Sequence, residues 1–194
     1  ASIRPFFELL GDQRHNIKAV ALDMSSAYIN EIAEQCPHAQ VIFDHFHVIA
    51  RYGREVIDRV RVDAANRYRH DPIQRKLVKG SRWLLLRNPS NITRPEDRQQ
   101  LDELLEINKE LSLVYIMKEH LNHLWRFEDQ ITARAWWHQW YRMAINSNID
   151  ALIKFARNLS VHVEGLLAHT RYRLNTGVLE GMNNKIKVIK RVAY

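Results

Sequence analysis

The chain has 194 residues, of which 46% are hydrophobic, which predicts one folded domain with a sizeable core, or a core domain carrying an insertion. Its single cysteine, Cys36, excludes an internal disulfide framework and a multi-cysteine zinc site, and indicates a reducing, cytoplasmic setting. No window offers a long uncharged apolar run, so we expect no transmembrane span and no membrane partner.

The net charge of +7 is distributed unevenly along the chain. Residues 51–87 hold 11 Lys or Arg against 4 Asp or Glu, residues 95–129 hold 4 against 9, and residues 130–194 hold 10 against 3. Two basic regions therefore flank an acidic one. This footprint fits phosphate binding, but solvated helix faces explain it equally well, so charge alone leaves a nucleic acid partner undecided.

The first 50 residues predict an α/β unit. Residues 4–11 predict an amphipathic helix ending at glycine, the apolar runs at 17–24 and 40–46 predict strands, and residues 27–35 predict a helix between them. Both apolar runs contain an aspartate, Asp23 or Asp44. A right-handed strand-helix-strand unit places the carboxyl ends of its strands at one edge of the sheet, so we expect both aspartates near a common crevice.

From His47 onward the pattern is almost wholly helical. Residues 48–68 predict a long amphipathic helix with a basic outer face, and residues 79–95 predict a connector that docks Trp83 and the following leucines in the core. Further helices are predicted at 95–107, 109–126, 131–146 and 149–169. The other four tryptophans lie among these helices, where packing between helices is a commoner role than base stacking.

The most informative segment is NTGVLEGMNNKIKVIKR, residues 175–191, which places one acid, Glu180, on a predicted helix rich in amides and cations. Apolar residues at helical spacing leave Glu180 and the cations on the opposite face. A lone carboxylate beside phosphate-seeking groups suggests a metal ligand. Alternatively, Glu180 only pairs with Asn184 and Lys187, each pair contributing roughly a few tenths of a kcal/mol, and the segment alone favours this alternative.

Three motifs occur in the order VALDMSSAYI, IFDHFHVI and LEGMNNKIKVIKRVAY. They resemble motifs of the DDE transposases, specifically of the bacterial insertion-sequence family named ISL-three. The resemblance implies a fragment from the C-terminal part of such a transposase, of the α/β class with a partial RNase H-like core, a large all-helical insertion and a mostly α content. It implies a core at 1–50, a helical insertion at 51–147, and helices at 148–194 that return to the core.

The resemblance also implies the site residues. Asp23 matches the family's second catalytic aspartate and Glu180 its catalytic glutamate, so both are expected to ligate Mg²⁺ or Mn²⁺ in a two-metal site. Asp44 and His47 match a D-x-F-H motif, with a supporting role. The expected DNA contacts are Asn183, Asn184, Lys185, Lys187, Lys190 and Arg191.

The implied function is metal-dependent cleavage and strand transfer of insertion-sequence DNA ends, with DNA and a homo-oligomer as partners. No predicted strand precedes residue 17, so the first catalytic aspartate is expected outside this chain and the fragment is expected to be inactive alone. Two alternatives stay open: a non-catalytic helical module for DNA binding or oligomerisation, and an RNase H-like nuclease that cuts without joining.

Overall fold

A small parallel sheet organises the amino-terminal part of the protein, seen in a computed structural model that describes residues 3–172. Strand β1 (Ala19–Leu22) pairs with β2 (Gln40–Phe43), in a register that sets Ala19 beside Gln40 and Leu22 beside Phe43. Helix α1 (Arg4–Leu10) and a 3₁₀ turn (Gly11–Asn16) precede β1, and α2 (Ser26–Gln35) links the strands. The predicted helix, strand, helix and strand are all confirmed.

The sheet lies between two apolar clusters, which fixes its position. On one side Phe7 of α1 and Ile32 of α2 form a small buried cluster with Cys36, packed against Val20 and Val41 of the strands. On the other side Phe43 belongs to the large helical core. Both strands are only four residues long, because the chain leaves the sheet at the aspartate that follows each of them.

A long helix runs from the end of β2 into the helical part. It consists of α3 (His45–Tyr52), a π-helical turn (Gly53–Ile57) and α4 (Asp58–Arg67), without a break between them. The long helix predicted at 48–68 is therefore confirmed, with an earlier start. The division of the chain near residue 50 stays a prediction, and the helix passes through that position continuously.

The connector predicted at 79–95 is wrong in its first part. Helix α5 (Pro72–Gly80) is followed at once by α6 (Arg82–Leu86), and a 3₁₀ turn (Pro89–Asn91) comes after it. Leu84 and Leu85 are buried, but Trp83 is 66% exposed. Successive residues of a helix are about 100° apart, so consecutive apolar residues of α6 cannot all face one core.

The remaining helices follow the predicted positions closely. They are α7 (Pro95–Ile107), α8 (Lys109–Asn122) with a 3₁₀ turn (His123–Arg126), α9 (Gln130–Ile145), α10 (Asp150–Ser160) and α11 (Val163–Leu167), which ends in a 3₁₀ turn (Ala168–Thr170). The single helix predicted at 149–169 is interrupted after Ser160. The Ser160 hydroxyl donates to the carbonyl of Arg157 at 2.7 Å, a local bond that competes with helix continuation.

Two buried aromatic residues tie the helices together through polar groups. The Tyr52 hydroxyl of α3 donates to the Val114 carbonyl of α8 at 2.8 Å, and the Trp140 indole of α9 donates to the Met117 carbonyl at 2.9 Å. Trp137 stacks beside Trp140 in the same core, as predicted for the tryptophans of this region. Within residues 3–172, no helix combines the length and apolar character needed to cross a membrane.

Candidate functional site

The candidate site lies where the two strands end. Leu22 and Phe43 are the last paired residues, and Asp23 and Asp44 directly follow them. The Asp44 backbone N–H donates to the Leu22 carbonyl at 3.1 Å, so the pairing continues up to the aspartates. Both aspartates therefore lie at the same edge of the sheet, as the sequence predicts.

Asp23 is half-buried and borders an open cleft of about 330 Å³. Its Oδ1 accepts the backbone N–H of Ser25 at 2.9 Å, which forms a turn that leads into α2. His47, Arg51, Arg54 and Glu55 of the long helix form the opposite wall of the cleft. The side chain thus has a local structural role and also faces a solvent-filled space rich in charged groups.

Asp44 acts on this cleft indirectly. Its Oδ1 accepts the Phe46 backbone N–H at 2.8 Å and so caps α3, while its Oδ2 lies 3.3 Å from His47 Nδ1. The Asp44 side chain is only 8% exposed, whereas that of His47 is 48% exposed and lines the cleft. The nearly buried carboxylate therefore lies beside the ring of a histidine that reaches the cleft.

The sequence interpretation missed three charged residues of the cleft. Arg51 donates to Glu55 at 2.6 Å, whereas Arg54 has no carboxylate within ion-pair distance among residues 3–172. Their positions follow His47 at intervals of three and four, which places them on one helix face. Helical spacing counted from His47 could have identified them before the structure was known.

The described residues supply one suitable ligand for a divalent metal ion. Asp23 offers a partly exposed carboxylate, the hard oxygen donor that Mg²⁺ prefers, beside a cleft with room for water. Glu55 is held by Arg51. No group of three or more His, Cys, Asp or Glu side chains within residues 3–172 is placed to hold a metal ion. The donor type fits, and further ligands have to come from outside this range.

The other predicted site residues lie outside the described part of the chain. They are Glu180, Asn183, Asn184, Lys185, Lys187, Lys190 and Arg191. Asp23, Asp44 and His47 are described, and the structure brings these three together at one edge of the sheet.

A family model described as a transposase, of the DDE type and the ISL-three group, matches residues 1–194. The chain belongs to the ISL-three transposase family. This confirms the resemblance seen in its three motifs. The transposase for insertion sequence element IS1001 of Bordetella parapertussis is 50% identical over 195 residues, which cover 98% of this chain and 47% of that protein.

Two more distant relatives show similar coverage. The transposases for insertion sequence element IS1557 from two strains of Mycobacterium tuberculosis are 25% identical over 216 residues, which cover the whole chain and 48% of those proteins. The chain thus spans about half the length of the curated relatives it matches. No solved structure matches it.

Proposed function

We propose that the chain is a catalytic part of a DNA transposase and that Asp23 is one of its metal-binding carboxylates. The observation that carries the proposal is the position of Asp23 at the carboxyl edge of a parallel strand pair, bordering an open cleft with arginines on its far wall. Ligands of α/β proteins bind at such edges. Family membership makes DNA the substrate to test first.

The reaction we propose is cleavage of insertion-sequence DNA ends followed by joining to target DNA. A pair of Mg²⁺ or Mn²⁺ ions, when bound, would activate the attacking oxygen and stabilise the leaving one. Asp23 would hold a metal ion, and Glu180 would supply a second carboxylate from the later motif. A parallel strand-helix-strand with an aspartate after its first strand is consistent with a partial RNase H-like core.

The charged residues of the cleft receive supporting roles. Arg54 is positioned to contact a DNA phosphate, because no carboxylate in the described part of the chain neutralises it. His47 is a positioning residue, oriented by Asp44. The amides and cations at 183–191 would bind the DNA backbone, and the active protein is proposed to be a homo-oligomer in the cytoplasm.

The test uses the full-length transposase with Asp23→Asn. Asparagine keeps the side-chain oxygen that accepts the Ser25 N–H, so the turn into α2 should survive while the charge is lost. We expect DNA cleavage and joining to disappear, with DNA-end affinity and thermal stability close to those of the parent. Asp12→Asn is the matched control, because Asp12 is exposed in the turn that precedes β1, at the opposite edge of the sheet.

A second variant separates metal binding from other roles of the carboxylate. Asp23→Cys should be inactive with Mg²⁺ and should recover part of its activity with the more thiophilic Mn²⁺. Cleavage retained in Asp23→Asn would refute the proposal. Cleavage without joining in the parent would indicate a nuclease, and salt-sensitive DNA binding with no metal-dependent chemistry would indicate a helical DNA-binding module.

A further inference from the structure

A second groove lies beside α6, close to the Asp23 cleft. It encloses about 580 Å³, and its two large exposed side chains are Trp83, 66% exposed, and Phe46, 56% exposed. The lining combines these aromatic rings with four cationic and three asparagine side chains, and contains no Asp or Glu from the described part of the chain. Exposed aromatic rings beside amide and cationic groups are typical of a ligand-binding surface.

The exposed Trp83 ring lies beside an arginine that is itself held by a carboxylate. The Arg82 guanidinium lies 5.1 Å from the centre of the indole ring, and Arg82 in turn donates to both carboxylate oxygens of Asp58 at 2.9–3.0 Å. Burial acts to raise the pKa of Asp58, but the hydrogen bonds and charge of Arg82, with Arg61, outweigh it and lower that pKa. Asp58 is therefore ionised at neutral pH and anchors the ring.

A buried lysine holds the carboxyl end of α6, the helix that carries Trp83. Lys118 is 1% exposed, and its Nζ donates to the carbonyls of Leu85 at 2.9 Å and Arg87 at 2.8 Å, at the carboxyl end of α6. These bonds satisfy carbonyl groups that a helix end leaves open. The indole is thus a preorganised platform. Stacking of a ligand on it therefore costs little conformational entropy of the protein.

The free positive charge of the groove is concentrated at Arg54. Arg82 is committed to Asp58, and Arg87 lies 3.2 Å from Asp97, whereas Arg54 has no such partner within residues 3–172. Arg54 also lines the Asp23 cleft, so the groove and the cleft share this side chain.

A third space, between α4 and α10, is a weaker candidate for binding an anion. Four carboxylates contribute to its lining, and Arg59 and Arg67 there are paired with Asp63 and Glu110. Three of its five cationic side chains, Arg51, Arg59 and Arg67, are paired with carboxylates, and Arg54 lines this space too. The groove beside α6 differs in having no carboxylate from the described residues in its lining and in presenting two exposed aromatic rings, which makes it the better candidate for binding a nucleotide.

We propose that this groove binds an unpaired nucleotide of single-stranded DNA, with its base on Trp83 and its phosphate at Arg54. The volume lies within the roughly 300–1,000 Å³ of ligand pockets. A base in a duplex has both faces covered, so an aromatic platform selects an unstacked base, and asparagine amides can pair with its edge. The inference rests on the proposed function, because it assigns the groove to the DNA strand that enters the Asp23 cleft.

The experiment measures binding without catalysis. Full-length protein is titrated into a fluorescein-labelled oligodeoxythymidylate in EDTA, and fluorescence anisotropy gives the affinity. Trp83→Ala should weaken binding by about 5- to 100-fold, the range for loss of one stacked base, and Trp83→Phe should weaken it less. Ile73→Ala is the control, since Ile73 is 83% exposed on α5 and outside the groove. Arg54→Gln should weaken binding and make it less sensitive to salt.

A direct readout locates the base. An oligonucleotide with 5-iododeoxyuridine should photocrosslink to the peptide that contains Trp83. Unchanged oligonucleotide affinity in Trp83→Ala, or a crosslink confined to other peptides, would overturn the inference. An equal loss for duplex DNA would also overturn it, because a duplex cannot stack on the ring. So would intact oligonucleotide binding with a changed oligomer mass, which would make the groove a protein interface.

The two proposals can fail separately. The Asp23 variants report on chemistry in the presence of metal, whereas the Trp83 variants report on binding in its absence. If Trp83→Ala binds the oligonucleotide normally and Asp23→Asn does not cleave DNA, only the proposal for the groove would be overturned. A binding defect in Trp83→Ala, with full cleavage by Asp23→Asn, would overturn the proposed function alone.

Discussion

Gly165 is a point of close contact between the helical core and the sheet. A Cβ atom at this position would lie 2.4 Å from Cε2 and 2.5 Å from Cδ2 of Phe43, the last residue of β2. The Phe43 ring is buried and packs edge-on against His162 at a centroid distance of 5.1 Å. Gly165→Ala therefore forces an aromatic ring to move, and that ring is attached to the strand that leads into Asp44.

The expected cost follows from the size of this overlap. Carbon atoms pack best at about 3.5–4.0 Å, so α11 or the Phe43 ring has to shift by roughly 1 Å. Overpacking of this kind costs about 1–3 kcal/mol, and alanine in place of glycine within a helix returns at most about 1 kcal/mol. We expect Gly165→Ala to lower the free energy of unfolding by about 1–2 kcal/mol, and to reduce cleavage because the edge of the sheet moves.

Urea unfolding followed by the fluorescence of the buried tryptophans measures the effect. Gly53→Ala is the matched control, because its Cβ would meet only Leu86 Cδ2, at 2.7 Å, the mobile end of a flexible side chain. That variant should change the free energy of unfolding by less than about 1 kcal/mol. The Leu86 side chain can move to relieve the contact, and the higher helix propensity of alanine offsets the remaining cost. Equal stability of the two glycine variants would refute the argument that the Phe43 ring cannot move away from the new Cβ atom as easily as Leu86 can.

Two further predictions concern Tyr52 and Asp44. Burial raises the pKa of Tyr52 well above the usual value for a tyrosine, so the stability that its bound proton provides is complete below that usual value and is lost as pH rises further. The free energy of unfolding should fall above pH 10, and it should fall less steeply in Tyr52→Phe. At pH 7 that variant should be less stable by about 1 kcal/mol, because it lacks the hydrogen bond to the Val114 carbonyl. A free energy of unfolding that does not change above pH 10 would contradict this prediction. Asp44→Asn keeps an oxygen that can cap α3 but removes the charge beside His47. The free energy of unfolding should stay within about 1 kcal/mol of the parent, while DNA cleavage by the full-length protein should slow about 10- to 100-fold. An unchanged cleavage rate would exclude the positioning role.

Local pattern was sufficient to predict the unit that positions the site. The runs around β1 and β2 are rich in β-branched residues, and the segment between them has helical periodicity with serines at its start. A short crossover between such runs leaves parallel pairing as the simplest arrangement. The edge shared by Asp23 and Asp44 then follows from geometry alone, and the structure confirms it.

Long-range packing decided the features that the sequence did not reveal. The burial of Leu84 and Leu85 with exposure of Trp83 depends on which side of α6 meets the core, and a five-residue helix has too few turns to show that periodicity. Likewise, Lys118 would be expected at the surface, but it is buried because the carbonyls at the end of α6 need donors. Such partners, about 30 residues apart, cannot be read from local spacing.

Charge along the sequence was the weakest guide to the proposed DNA contacts. Of the 11 cations at 51–87, six form ion pairs with carboxylates, so the counted excess overstates the field available to a phosphate. Three of those pairs join residues that are far apart in the sequence and that folding brings together: Arg67 with Glu110, Arg82 with Asp58, and Arg87 with Asp97. Helical spacing alone could not predict these pairs.

Arg54 differs from those paired cations because of where the π-helical turn places it. The turn begins at Gly53, whose lack of a side chain lets Leu86 approach, and this contact brings α6 and its exposed Trp83 alongside the long helix. Arg54 follows directly and borders both the Asp23 cleft and the Trp83 groove. Single π-helical turns often occur at functional sites, and here the turn sets one unpaired guanidinium, among the residues described, between a candidate metal ligand and a candidate base platform. A substitution at Arg54 should therefore affect DNA binding and cleavage together, whereas those at Asp23 and Trp83 should separate them.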